Sequence, residues 1–127
     1  LDDNSKDKPQ SASGMLPSHY APLKPFEILS KPVSKLKNDF KELPETIGLL
    51  TFGSKEKAEK VFSKLTNKKV ICKSLSETGD MEEAAKNLFA KMRELDASEA
   101  EILFSEPCPT EEGLGIAIKD RLNRASQ

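Results

Sequence analysis

The 127-residue sequence is short of the residues on which many enzymes depend: it has one histidine, one tyrosine, two cysteines and no tryptophan. The single histidine, His19, has no second metal ligand near it, which argues against a zinc site. Two cysteines, Cys72 and Cys108, do not make a disulfide framework, so we expect small apolar side chains in a reducing compartment. Neither has a histidine beside it to form a nucleophilic pair. We therefore expect no catalytic and no metal-binding residue in this chain.

An excess of charge of one sign and long hydrophobic runs are also missing. The 20 basic and 21 acidic residues give a net charge of -1, which offers no electrostatic case for binding nucleic acid or an anionic membrane. No apolar run approaches the roughly 20 residues that cross a bilayer. The first residues, LDDN, lack the basic and apolar regions of a secretory signal. We expect a cytoplasmic protein, and the absence of an initial Met suggests a piece cut from a longer chain.

Composition divides the chain into two parts. Residues 1–13 are polar, with almost nothing to bury, which is typical of a flexible segment. Residues 14–25 carry larger side chains among three prolines, which hold the backbone extended and leave those side chains in need of a surface. We predict a flexible tail and Pro-rich interdomain linker over residues 1–25, and one folded domain over residues 26–127.

Within the predicted domain, hydrophobic periodicity alternates between strand and helix. We predict strands at residues 26–29, 47–52, 70–75 and 101–104. The run at 47–52 has no alternation, which is typical of a strand buried on both faces. Apolar stripes at helical spacing follow the last three predicted strands, with Ser54 and Asp80 placed to cap the first two of these helices. The last helix is expected over residues 114–125, and residues 33–43 are ambiguous.

Three strand–helix repeats with short connections imply right-handed crossovers and a parallel sheet. The predicted fold class is therefore α/β. It is a Rossmann-like three-layer domain with a mainly parallel sheet of about four to five strands and helices on both faces.

The carboxyl ends of parallel strands are the first place to look for chemistry. The loop at Gly53 has one glycine and favours a turn and a helix cap, and the hydroxyls of loop 74–80 lie beside two acids that would repel an anion. Gly113 and Gly115 lack the third glycine and the later acid of a dinucleotide site, so we interpret both as tight backbone packing at a helix start. Glu106 follows a strand, but a lone carboxylate is weak evidence for catalysis.

The unusual residues lie in the linker, where the only histidine, His19, precedes the only tyrosine, Tyr20. On composition alone, the simpler interpretation is that Tyr20 packs against its own domain and His19 is exposed to solvent.

Several short stretches, taken together, resemble one family. Residues 11–15 (SASGM) and 19–22 (HYAP), with a further proline at 25, resemble the interdomain linker of the long form of L-threonylcarbamoyl-AMP synthase. Other stretches resemble the C-terminal domain of that family: GDMEEAA at 79–85, NLF at 87–89, RELD at 93–96, GLGIAI at 113–118 and DRL at 120–122. The family usually has proline where Ser13 stands, and often a basic residue where Ser18 stands.

This resemblance implies an accessory, non-catalytic domain of a larger enzyme. The full-length enzyme would carry an N-terminal YrdC-like catalytic domain in cis. It would use ATP (with Mg), L-threonine and bicarbonate to make threonylcarbamoyl-AMP and pyrophosphate for the modification of tRNA. The resemblance implies no cofactor for this fragment and no direct contact with nucleic acid or membrane. The linker would close over the catalytic cleft, with His19 and Tyr20 reaching the nucleotide side. The residues implied to dock the linker belong to its turn and Pro-rich stretch: Gly14, Met15, Ala21 and Pro22.

Two other classes of function stay open. The chain could be a stand-alone protein-interaction module, in which the linker is a partner-binding strand. It could also be a small-molecule sensor that binds nucleotide at the strand ends, although the lack of a Gly-rich loop argues against that.

Overall fold

The computed structural model describes residues 20–127, in which strands and helices alternate after a first short strand. The strands are β1 (Phe26–Ile28), β2 (Thr46–Thr51), β3 (Lys69–Ser74) and β4 (Ile102–Ser105). The helices are α1 (Lys55–Thr66), α2 (Met81–Asp96) and α3 (Leu114–Ala125). No helix among these residues is long and apolar enough to cross a membrane.

The described strands form one sheet in the order β1-β4-β2-β3, and all neighbouring pairs are parallel. Side chains alternate between the two faces of the sheet, so each face needs its own cover. On one face Leu50 and Leu103 belong to the cluster of α2 and α3, and on the other Leu49 and Phe104 belong to the cluster of α1. The predicted fold class, an α/β three-layer domain with helices on both faces, is confirmed.

Two of the helices begin where their capping residues predict. The Ser54 side chain accepts a hydrogen bond from the Lys57 amide at 3.3 Å, and Asp80 accepts one from the Glu82 amide at 3.1 Å. Each bond satisfies one of the amides that the first turn of a helix leaves without a partner. The apolar stripe predicted after residues 47–52 comprises Ala58, Val61, Phe62 and Leu65. Ala58 and Phe62 are buried as predicted, but the prediction is wrong for Val61, which is 39 % exposed.

The ambiguous residues 33–43 contain one 3-10 turn, Val33–Lys35, and then run on without regular structure. Phe40 from this segment packs edge-on against Phe62 of α1 and Phe104 of β4, with ring centroids 5.8 and 5.7 Å apart. The segment therefore helps α1 to cover its face of the sheet, where a second helix would otherwise be needed.

The two glycines at the start of α3 have different causes. A Cβ atom at Gly115 would overlap the backbone oxygen of Thr110 and lie 2.7 Å from its Cγ2 atom, so tight packing is confirmed there. At Gly113 nothing lies within 4 Å of such an atom, and the residue has φ of +58°. The packing interpretation is wrong for Gly113, where the left-handed backbone conformation favours glycine.

The substitution Gly115→Ala should destabilise the domain by about 1–3 kcal/mol, because the overlap is with backbone that cannot move aside easily. Gly53→Ala is the matched control, since nothing lies within 4 Å of a Cβ atom there. Chemical denaturation of both variants measures the free energy of unfolding, and equal values for the two would contradict this packing.

Candidate functional site

The segment 20–25 is fixed to the domain by a carboxylate at the end of α2. The backbone amides of Leu23 and Lys24 donate to the Oδ2 and Oδ1 atoms of Asp96 at 3.0 and 3.1 Å. The ammonium group of Lys24 donates to the Ser98 carbonyl, and the Leu103 amide donates to the Pro25 carbonyl at 2.8 Å. We call this set of contacts the Asp96 clamp.

Tyr20, at the start of this segment, packs against the buried cluster to which α2 and α3 contribute. Its ring meets Phe89 edge-on with centroids 6.0 Å apart, and the Arg121 guanidinium lies 5.8 Å from the centre of the same Phe89 ring. Burial raises the pKa of Tyr20, and the negative charge of Asp96 raises it further, against an opposing effect from Arg93. Tyr20 is thus half-buried on its own domain, as composition alone led us to expect.

The other predicted linker residues fall into two groups. His19, Gly14 and Met15 lie outside the described residues. Ala21 is exposed and Pro22 is half-buried between Tyr20 and the Asp96 clamp. The docking role of these residues and the contact of His19 and Tyr20 with a nucleotide stay predictions.

Residue-by-residue reasoning missed the part played by Asp96. An acid in the last turn of a helix faces the negative end of the helix dipole, which is unfavourable by several tenths of a kcal/mol. Such a placement signals that the carboxylate has partners elsewhere, here the amides of Leu23 and Lys24. The resemblance included Asp96 among its matched residues but assigned it no role.

The Asp96 clamp lies near the amino ends of the strands, and a second candidate site lies at their carboxyl ends, on the opposite edge of the sheet. The chain leaves β2 toward α1 on one face and leaves the adjacent β4 toward α3 on the other. In open α/β sheets this divergence of neighbouring connections creates the crevice in which ligands bind. Here the crevice has a volume of about 420 Å³, which lies within the usual range for small-molecule sites.

Glu106 stands at the base of this crevice and is only 9 % exposed. Its Oε1 atom accepts hydrogen bonds from the Thr51 hydroxyl at 2.5 Å and the Phe52 amide at 3.3 Å, and its Oε2 atom accepts one from the Val33 amide at 2.9 Å. The carboxylate therefore links the ends of β4 and β2 to the 3-10 turn. The sequence indicated its place after a strand but not these partners.

The remaining candidates are occupied by structural contacts. The Ser76 hydroxyl donates to Glu83 at 2.6 Å and accepts from the Asp80 amide at 2.8 Å, so this hydroxyl supports the loop and the helix start. Cys72 is buried, and that burial, with the nearby carboxylates of Glu59 and Glu106, raises the pKa of its thiol to about 12. The prediction of a core thiol is confirmed. Among the described residues, no cluster of three or more potential ligands could hold a metal ion.

The substitution Glu106→Gln should destabilise the domain by about 1–3 kcal/mol. Both carboxylate oxygens accept hydrogen bonds, and the NH₂ group that replaces one of them cannot accept, so at least one buried donor loses its partner. Glu112→Gln, on the exposed side of the same loop, should change the free energy of unfolding by less than about 0.5 kcal/mol. Urea denaturation monitored by circular dichroism measures both, and a neutral Glu106→Gln would contradict the linking role.

The two thiols should differ strongly in reactivity. At pH 8 a thiol reagent such as DTNB should modify the half-buried Cys108 readily and Cys72 only after unfolding, since the reactive thiolate of Cys72 is scarce and buried. We expect one thiol per chain to react quickly with DTNB in buffer, and two thiols per chain to react quickly in denaturant. Two fast equivalents in buffer would contradict it.

Comparison with known proteins places the chain in a family. The family model described as "Threonylcarbamoyl-AMP synthase, C-terminal domain" matches residues 1–127. The curated threonylcarbamoyl-AMP synthase of Pyrococcus abyssi (strain GE5 / Orsay) is 31 % identical over 122 residues, which are 91 % of this chain and 32 % of that protein. The chain thus spans about a third of the length of this relative. The crystal structure of P. abyssi Sua5 complexed with L-threonine aligns with a TM-score of 0.42 and 23 % identity, over 75 % of this chain and 35 % of that one. By its match over the whole length, this chain belongs to the family of threonylcarbamoyl-AMP synthase C-terminal domains.

Proposed function

We propose that this chain is the accessory C-terminal part of a cytoplasmic threonylcarbamoyl-AMP synthase. The full-length enzyme makes threonylcarbamoyl-AMP and pyrophosphate from ATP, L-threonine and bicarbonate, and the product serves tRNA modification. An N-terminal YrdC-like catalytic domain is the partner in cis. Residues 1–25 are the tail and interdomain linker, and residues 26–127 are the accessory domain. Family membership and the share of the relative that this chain covers support this assignment.

The observation that carries the proposal is the Asp96 clamp, because it fixes the register of the linker. Proline has no backbone N–H, and prolines stand at positions 22 and 25 on either side of the two clamped amides. A slip of one residue in either direction would put Pro22 or Pro25 opposite the Asp96 carboxylate and lose one hydrogen bond. Leu23 and Lys24 are therefore the one neighbouring pair of residues in 21–25 that this carboxylate can hold with both oxygens.

A linker with a fixed register can act as a lid of defined reach. In this proposal the lid carries His19 and Tyr20, and the clamp anchors its end next to the accessory domain. Carbamates and acyl-adenylates react with water, so a segment that closes over them protects the intermediate. Anchoring one end in advance lowers the entropy lost on closing. The role of the accessory domain is thus to position the lid rather than to carry out chemistry.

The proposed function is tested by the release of pyrophosphate from ATP, L-threonine and bicarbonate. The full-length gene product should be active and this 127-residue chain silent. In the full-length enzyme, His19→Ala and Tyr20→Ala should lower turnover, whereas Tyr20→Phe should keep the ring contact with Phe89 and retain more activity than Tyr20→Ala. Unchanged kinetics in both alanine variants would contradict the lid.

The clamp itself is tested by Asp96→Ala in the full-length enzyme. Hydrogen bonds to a charged group contribute about 1.5–3 kcal/mol each, so losing two of them should release the linker and lower turnover by roughly tenfold or more. The matched control is Glu94→Ala, in the same turn of α2, whose carboxylate pairs with Lys73 and Lys91 and makes no ion pair with residues 20–25. Equal kinetics for the two variants would show that the clamp does not position the lid.

A further inference from the structure

The crevice at the carboxyl edge of the sheet combines apolar walls with one buried carboxylate. Its walls come from four different parts of the fold: Val33 of the 3-10 turn, Phe52 after β2, Ala58 and Val61 of α1, and Pro107 after β4. Glu106 is the acidic side chain in the lining, and Lys57 is the basic one. Lys57 belongs to the exposed side of α1, so it stands at the rim of the crevice.

The charge of Glu106 has neutral partners. Its three donors are a hydroxyl and two backbone amides, and none of the ion pairs among residues 20–127 includes it. A carboxylate offers about four acceptor positions, so roughly one is left for a ligand. A hydrogen bond from a cation to a carboxylate is stronger than one from a neutral donor, and a ligand with an ammonium group would supply such a bond at this position.

The position of Val61 indicates that the ligand also has an aliphatic part. Its neighbours on the apolar stripe of α1, Ala58 and Phe62, are buried, whereas Val61 is 39 % exposed and lines the crevice. An aliphatic group in the crevice would remove this side chain and the walls around it from water, at about 25 cal/mol for each Å² covered.

We propose that this crevice binds a small aliphatic ligand that carries an ammonium group. The ammonium group donates to the free acceptor position of Glu106, and the aliphatic part packs between Val33, Val61 and Pro107. The inference does not rest on the proposed function, because every group it uses belongs to this chain.

The test is a titration of the 127-residue chain with three matched probes, followed by amide chemical shifts in NMR spectra. Isobutylammonium chloride carries the cation alone, L-valine carries the cation and a carboxylate, and sodium isovalerate carries the carboxylate alone. We expect saturable shifts at the Val33, Phe52 and Gly53 amides with at least one of the two ammonium probes and none with isovalerate. A response to isovalerate as strong as to the ammonium probes, or no response to any probe, would overturn the proposal. A preference for L-valine over isobutylammonium would support it and indicate that Lys57 receives the carboxylate.

A variant that fills the crevice separates binding from folding. A Cβ atom at Gly53 would meet nothing within 4 Å, and Gly53 is not among the glycines with positive φ. Gly53→Val should therefore fold normally and weaken binding of the effective probe at least tenfold. Glu106→Gln should abolish the response to the ammonium group. If the Glu106→Gln variant does not fold, the Gly53→Val variant still tests the site. Unaltered affinity in a folded Gly53→Val variant would place the probe elsewhere and refute the site.

Failure of this binding test leaves the proposed function standing, since the pyrophosphate assay uses the full-length enzyme and the linker residues. Failure of the pyrophosphate assay equally leaves the crevice and its ligand class unaffected.

Discussion

The Glu106 carboxylate holds together segments that leave the sheet in different directions. It follows β4, takes the Thr51 hydroxyl and the Phe52 amide at the end of β2, and takes the Val33 amide at the 3-10 turn. These donors lie in a crevice with mainly apolar walls, where an unpaired donor is destabilising by about 1–3 kcal/mol. One side chain thus satisfies two groups at the end of β2 and one at the 3-10 turn.

The segment that helps α1 to cover its face of the sheet depends on the same carboxylate. Strand β1 has only three residues and pairs with β4 alone, so it holds the following segment weakly. The bond to Val33 fixes the start of residues 33–43 beside the sheet, and farther along Phe40 packs on Phe62 and Phe104. A segment without regular structure can take the place of a helix here because a buried acceptor anchors one end and an aromatic cluster the other.

The sequence predicted those parts of the fold that local chemistry determines. The buried strands and the caps Ser54 and Asp80 follow from neighbouring residues, and the structure has them within one or two positions. Partners far apart in the chain could not be derived in this way. The bonds from Asp96 to Leu23 and from Glu106 to Val33 each join residues separated by 73 positions, and only the folded sheet brings them together.

The two carboxylates lie at opposite edges of the sheet, which separates their tasks. Residues 20–25 precede β1 and bond to the start of β4, so the Asp96 clamp stands at the amino edge, whereas Glu106 follows β4 at the carboxyl edge. The proposed ligand at Glu106 would therefore lie away from residues 20–25.

The clamp also holds Leu23 by its backbone amide, which leaves the leucine side chain free for a second surface. Leu23 is 97 % exposed although its amide is bound, so a surface that covered this leucine would remove its apolar area from water. In the proposed function, the catalytic domain supplies that surface.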